Sequence, residues 1–538
     1  MSKHGDPSPQ KSSPRSPRPG LAYAVTSERL PLILSAAVLL LYLPLLTKNY
    51  YWDGIFFARM IEDAKGLDVS LLHPNHLVYN VVGYLFYKLA QSAGLRVRAV
   101  EVLQILNCFF GAASAYVIFR ILQDCFKSVY LSVTLTLLFA LSATWWKFAT
   151  DADSYVPSVF FLLVSFYFVL PHRRRSRPFL VAGAHAASML FHQLAIFFFP
   201  VALLGIFLQT SSQSTRRRLT HLLKYALAAF LFTFPIFCYS FYLITGGFEF
   251  APFVRWLTTF SPEHGFTFTF WDDLTYTLRG HSRLIVGGRL SFLRDLGGPF
   301  MYAMTVLLLV VAAVFFYKLF RHFKELRTAR RVAPADASRL RALQLLCGVW
   351  IVTYVLFLFF FIPQNTFYRL FYLPALVVLA GTFLVPYEAA PSHAHRYRLA
   401  LFVAMLAIAN LTFTAYPYAQ VRATPPLALA LGLNKSWPKN TVVYFAEWNS
   451  DNELIRYFNP QTVWRETSPE ALERDVLANG GGPAWMDTTL IDLYQDPEGG
   501  RWLDAHTTRR PEYELVNDKY KLRFYEIRPD TIHPPSTE

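Results

Sequence analysis

The sequence predicts an all-α polytopic membrane protein of about eleven transmembrane helices, carrying a small C-terminal α/β domain outside the cytosol. Hydrophobic residues make up 54% of the chain, aromatic residues 17% and charged residues only 16%. The apolar residues fall in blocks of roughly 17 to 22, the length needed to cross a hydrocarbon layer as helix. The excess of positive charge, +15 over the whole chain, collects at the ends of those blocks, where it orients helices. No basic groove interleaved with aromatic residues is visible, so nucleic acid is not an expected partner.

Taken in order, residues 1–28 read as a disordered cytosolic tail, because MSKHGDPSPQKSSPRSPRPG is rich in Pro, Ser and basic residues and too polar to pack. Candidate spans lie near 30–47, 100–121, 129–147, 155–171, 179–191, 195–209, 222–244, 301–320, 343–362, 367–386 and 399–416. The apolar stretch 77–91 is ambiguous. If it spans, Arg173-Arg174-Arg175 and Arg216-Arg217-Arg218 fall on the opposite side from the basic N-terminus. If it lies along the membrane surface, the N-terminus and the clusters at 172–177, 216–224, 318–331 and 393–398 share one side. The second arrangement satisfies the positive-inside rule for these clusters, at the cost of leaving Arg96 and Arg98 outside, a smaller violation. A cytosolic N-terminus, an extracytoplasmic C-terminus and a multi-pass place in the plasma (inner) membrane follow as expectations.

Residues 48–98 then form one long outer loop, its interfacial helix opened by His73-Pro74 and interrupted by Lys88 and Gln91. Tyr50-Tyr51-Trp52 and Trp145-Trp146 read as aromatic belts at the outer boundary. A second outer loop, 245–300, mixes Phe and Trp with Arg255, Arg279, His281, Arg283 and Arg289, as suits a segment on headgroups. The transmembrane domain is expected over 29–416 and the soluble domain over 417–538. In the latter, 440–446 reads as a strand, Ser468-Pro469-Glu470 opens a helix that Gly480-Gly481-Gly482 closes, and 512–527 alternates around Asn517-Asp518 like a hairpin. The four cysteines lie in or beside apolar blocks, which argues against disulfide scaffolding and a zinc site.

The candidates for chemistry converge on the outer face. Asp53 follows the first belt, and a carboxylate there can take a proton from an acceptor hydroxyl or merely end a helix in water. His73 and His76 share its loop, and Asp151 and Asp153, in TDADSY, return to the same face two spans later. The Asp151-Ala152-Asp153 spacing is where a divalent metal would be sought; a hydrated turn is the plainer account. His192 stands where a helix leaves the membrane outward, as a ligand or as a buried, satisfied histidine. Arg369, in NTFYRLFYLPAL, lies just inside the outer boundary, where burial without an anion is costly. It leads the phosphate-binding candidates, against snorkelling to the headgroups. Arg279, His281 and Arg283 could serve the same phosphate or contact headgroups.

The runs YYWDGIFFARMIED, LLHPNHLVYNVVGYLFYKL, ALSATWWKFATDADSYVPSVFFLL and AGAHAASMLFHQLAIFFFPVALL resemble the membrane-embedded GT-C glycosyltransferases, in the manner of the protein O-mannosyltransferase-like and lipopolysaccharide-core-transferase-like branches. The similarity covers roughly residues 30–245, with YRLFYLPAL as a late echo. The resemblance implies a GT-C-like transmembrane domain and a polyprenyl-phosphate-linked sugar as donor. It also implies inverting transfer to a glycan, lipid or protein acceptor outside the cytosol, with no metal required. Asp53 matches that family's first-loop carboxylate and presumed base, His73 the histidine of its HPP-like motif, and Asp151 or Asp153 its second-loop acid. Two departures stand out: HPP reads HPN here, and many members carry Glu at the second-loop position. A transporter or flippase of lipid-linked saccharides would instead show inverted repeats and midplane ionisable residues, neither of which is evident. A non-catalytic scaffold would place the function in the C-terminal domain.

Overall fold

The first predicted span is helical from Leu21, earlier than the tail boundary drawn at 28, and runs as α1 (Leu21–Tyr42) into a 3-10 turn at Pro44. The structure, a computed structural model, describes residues 21–173, 175–258, 266, 268–321, 334–388 and 394–532. The predicted tail up to residue 20, Arg174, and parts of the basic stretches 318–331 and 393–398 lie outside the described residues.

Between residues 48 and 98 stand α2 (Trp52–Asp63) and α3 (Tyr79–Ser92), and α3, at 14 residues, is short for a span. Next come α4 (Ala99–Phe126), α5 (Val129–Ala140), α6 (Ala143–Ala149), α7 (Tyr155–Val169) and α8 (Pro178–Phe191). α9 (Phe199–Gln209) and α10 (Thr215–Thr245) follow, and then α11 (Phe250–Thr258), α12 (Phe270–Ile285) and α13 (Phe292–Asp295). α14 (Pro299–Arg321), α15 (Pro334–Phe360), α16 (Leu373–Glu388) and α17 (Ala394–Asn410) complete the apolar region, with a short α18 (Tyr416–Tyr418) after it. Among the described residues, six helices are long and apolar enough to cross a membrane, or seven when α5 and α6 count as one span broken by a 67° bend. Shorter apolar helices stand at 155–169, 178–191, 193–209 and 373–385, the remaining predicted positions. Two of these begin as 3-10 helix, Gln193–Phe198 and Phe367–Phe371, with Pro200 and Pro374 each in the first turn of the α-helix that follows. Proline lacks the amide that a continuous helix needs and is accepted in a first turn.

α4 is the central post, packing against α1, α2, α3, α5, α7 and α16. Its C-terminal end meets one of the basic stretches, Arg173 pairing with Asp124 at 2.8 Å, and also Arg339 of α15, which donates to the Asp124 carbonyl at 2.6 Å. The first loop and the turn at 150–154 sit at its other end, about 42 Å away along 28 residues of helix. The expectation of a Trp145-Trp146 belt is overturned. Both rings are buried, 0% and 2% exposed, because the bend before α6 turns them inward onto Phe139 and Tyr42.

The C-terminal region opens with α19 (Pro425–Ser436) and contains α20 (Ser450–Phe458) and α21 (Pro469–Ala478) around a five-stranded sheet. Its order is β2-β1-β3-β7-β4, with β1 (Val442–Phe445) parallel to β2 (Val463–Glu466) and β3 (Ala484–Met486). β7 (Tyr525–Ile527) runs antiparallel between β3 and β4 (Thr507–Thr508). The predicted hairpin is β5 (Glu514–Val516) with β6 (Lys521–Arg523), a separate two-stranded sheet. Residues 525–527 leave it because Phe524, fully buried, turns into the core between the two sheets.

Candidate active site

Two polar residues one turn apart on α4, Gln104 and Asn107, hold the site together, and sequence reading passed over both. The Gln104 amide donates to the carbonyls of Thr47 at 2.7 Å and Thr150 at 3.0 Å. The Asn107 amide donates to the carbonyls of Asp151 at 2.7 Å and Asp153 at 2.6 Å. Both side chains are fully buried, and buried amides at i and i+3 in an otherwise apolar helix are the signal that could have found them.

Asp53 lies in the first turn of α2, after an extended Tyr51, where a carboxylate meets the positive end of the helix. Gly54 packs on the carbonyl of Ala152 so closely that any Cβ would collide with it, which brings α2 against the 150–154 turn. The two aspartates of that turn, both fully buried, differ in their surroundings. Asp151 Oδ1 accepts from the Ala152 amide at 2.8 Å, and Oδ2 accepts from the Tyr51 amide at 3.0 Å and faces Lys147 Nζ at 3.5 Å. Asp153 Oδ1 accepts from the Ser154 amide at 2.6 Å, whereas Oδ2 has no hydrogen-bond partner among the described residues. Burial, and then the charge of Asp151, push the half-buried Asp53 up from 3.8 to about 7. Burial and the charges of Asp53 and Asp151 push Asp153 well up too.

The histidines form a row behind these acids. His73 and His76 stack with ring centres 4.5 Å apart, and His192 lies 5.6 Å from His76. The Ser154 hydroxyl, next to Asp153, is 3.3 Å from His76 Nδ1. Burial pushes His73 down to about 4, and His76 falls through burial and its two histidine neighbours, so the pair is uncharged at neutral pH. His192 Nδ1 accepts from the Leu194 amide at 3.1 Å, capping the 3-10 turn, while Nε2 has no partner among the described residues.

Two cavities flank an aromatic wall of Tyr51, Phe148, Tyr155, Phe367 and Tyr368. One, about 430 Å³, is bordered by Asn75, His192, Gln193, Thr258 and Tyr368. At Gln193, Ile196 and Leu257 it meets an apolar cavity of about 510 Å³ walled by Phe230, Phe234 and Phe237. The other, about 500 Å³, is bordered by Lys147, Thr144, Arg283, Arg289, Thr366 and Tyr418, and no carboxylate lines it.

The phosphate candidates separate. Arg369 is fully buried, donating to the Pro363 carbonyl at 2.6 Å, with Gly280 of α12 pressed against its guanidinium. The Tyr372 hydroxyl stands between Arg369 and His281, 3.0 Å from the ring Nε2 of the latter. Arg279 and Arg283 are exposed, and of these two only Arg283 borders the cationic cavity. Lys147 and Arg289 join it there, Lys147 being a residue the sequence reading missed. Among the described residues no group of three or more His, Cys, Asp or Glu side chains is arranged to hold a metal ion.

No protein-family model and no curated protein sequence matches the chain. The structure of ArnT from Cupriavidus metallidurans bound to undecaprenyl phosphate superposes with a TM-score of 0.55 at 11% identity, over 95% of this chain and 99% of that one. ArnT in the apo state gives 0.54 at 12% identity over the same shares. The Saccharomyces cerevisiae protein O-mannosyltransferase Pmt1–Pmt2 complex bound to the sugar donor overlaps 42% of this chain and 35% of its own, at 12% identity and a TM-score of 0.32, too low to bear on the fold. An overlap of nearly the whole of both chains shows that this protein, with its long apolar helices, has the fold of ArnT.

Proposed function

We propose that the protein is a glycosyltransferase that moves a sugar from a polyprenyl-phosphate-linked donor to an acceptor hydroxyl on the extracytoplasmic face, with inversion at the anomeric carbon. The observation that carries this reading is that buried Asp151, in one turn with Asp153 and holding the Tyr51 amide next to Asp53's helix, pairs with Lys147 on a cavity also lined by Arg283 and Arg289.

Asp53 takes the proton of the acceptor hydroxyl, its affinity near neutrality suiting a general base. The acceptor oxygen forms its bond to the anomeric carbon as the bond to the donor phosphate breaks on the opposite side. The bonding electrons leave with the phosphate, and Arg283 and Arg289 receive its charge; Lys147 is shared with Asp151. Buried Asp153, whose Oδ2 has no hydrogen-bond partner among the described residues, orients the acceptor, and neutral His76 supports Ser154 beside it. The apolar cavity beyond His192 offers room for a hydrocarbon chain. That ArnT has been seen with undecaprenyl phosphate supports the donor class. Arg369 becomes a brace between the 363–372 segment and α12. Support for the extracytoplasmic face comes from the charge bias of the sequence, with Arg173 of one basic stretch and Arg339 at the far end of α4.

The test is release of polyprenyl phosphate by the purified protein in lipid vesicles given a polyprenyl-phosphate sugar and a hydroxyl acceptor. Asp53→Asn with undiminished turnover would remove Asp53 from the reaction. Translocation of the intact donor without bond cleavage would replace the transferase with a transporter.

A further inference from the structure

The helix that presents Asp53 is gripped at its two ends by different parts of the chain. At its start, Gly54 lies on the Ala152 carbonyl and the Tyr51 amide on Asp151. Its far end is held by α20 of the C-terminal region. Glu62 accepts from Arg98 Nη2 at 2.9 Å, from the Ala99 amide at 2.8 Å and from the Tyr457 hydroxyl at 2.8 Å. That hydroxyl also accepts from the Val100 amide at 3.2 Å, one of the first-turn amides of α4 that lack a helical partner. Arg98 donates to the Tyr457 carbonyl at 2.8 Å, and its guanidinium lies 4.0 Å from the centre of the Tyr457 ring. One turn back along α2, Arg59 pairs with Glu453, which is 4% exposed and also accepts from Trp448 at 3.1 Å. Tyr50, two residues from Trp52, stacks on Phe458 at 5.8 Å.

A twelve-residue helix behaves as a rod of about 18 Å. A displacement of its 59–62 end therefore tilts its first turn. Arg59 and Glu62 spend their charges on α20 and α4, although water was available to them in an outer loop. Polar networks whose members satisfy one another fix geometry, and this one is partly buried, with Glu453 at its most enclosed point.

We infer that Tyr457 and Glu453 are positioning residues for Asp53, acting through Glu62 and Arg59, so that the C-terminal region is a working part of the transfer site. The inference rests on the proposed transferase function, and the experiment separates the two.

The full chain is purified with Tyr457→Phe and with Glu453→Gln, and hydrogen exchange of residues 52–63 is measured alongside kcat, donor KM and the pH profile. Exchange in 52–63 rises while exchange in α7 stays unchanged. The rate constant kcat falls about tenfold or more, donor KM holds within about twofold, and the pH midpoint of kcat drifts from the wild-type value toward an ordinary carboxylate. Arg59→Glu combined with Glu453→Arg recovers part of the loss. Unchanged exchange in 52–63 overturns the inference whether or not the wild type transfers sugar. Faster exchange with an unaltered kcat and pH profile in an active enzyme overturns it as well. A wild type that releases no polyprenyl phosphate defeats the proposed function instead, and the exchange measurement still decides whether α20 holds α2.

Discussion

The backbone amide of Tyr51 donates to Oδ2 of Asp151 across 3.0 Å, joining two loops that lie 100 residues apart in sequence. The same oxygen faces Lys147. Asp151 is thereby occupied as a fastener, which leaves the proposed chemistry to Asp53 and Asp153. Asp151→Asn is therefore expected to destabilise the protein by about 1–3 kcal/mol, leaving Lys147 and one amide poorly matched. Thermal unfolding in detergent checks it; an unchanged Tm together with abolished turnover would make Asp151 a catalytic group.

Asp53→Asn keeps the shape of the side chain and removes the base. The expected fall in kcat is about 10²- to 10⁴-fold, with donor binding little altered, because no donor-side cation touches Asp53. Equilibrium binding of a polyprenyl phosphate to the two proteins provides the comparison.

Activity should rise with pH through about 7, where Asp53 loses its proton. Stability should do the reverse. The folded-state affinity of Asp53 for its proton is raised above 3.8, so its ionisation opposes folding and the penalty grows as pH climbs from about 4 toward 7. Asp53→Asn is then more stable than the wild type at pH 8 and equal to it at pH 4, a trade of stability against activity. Unfolding curves at the two pH values read the difference; equal gaps at both would contradict the assignment.

Arg283→Ala and Arg289→Ala, on the cationic cavity, should each raise donor KM about tenfold, the scale of one charge-assisted hydrogen bond. Added salt should weaken donor binding in the wild type more than in the double variant. A double variant with wild-type KM would move the phosphate elsewhere.

Arg369→Lys should act on the fold and leave donor binding unchanged. Lysine cannot reproduce the guanidinium's reach to the Pro363 carbonyl and Tyr372 together. The expected result is a lower Tm with donor KM within about twofold; a selective rise in KM would return Arg369 to the phosphate.

Much of the architecture was legible because span length, charge bias and soluble composition are one-dimensional quantities. The apolar blocks, the switch to α/β composition near 417 and the strand at 442–445 are all visible that way. The bend before α6 was not legible, and so Trp145 and Trp146 read as a belt when they are core. Arg98 read as a stray outer cation, because its partners Glu62 and Tyr457 lie 36 and 359 residues away.

The sequence by itself determined that this is a polytopic membrane protein with acids and histidines in the polar segments between its apolar blocks, since hydropathy and residue type do not depend on folding. Tertiary structure alone decided which of them act together. It tied Asp151 to Lys147 and Tyr51, left Asp153 Oδ2 without a hydrogen-bond partner among the described residues, buried Arg369 behind Gly280, and set Arg283 on a cavity with Lys147 and Arg289. A side chain's role follows from what satisfies its charge, and those partners come from segments that sequence proximity does not reveal.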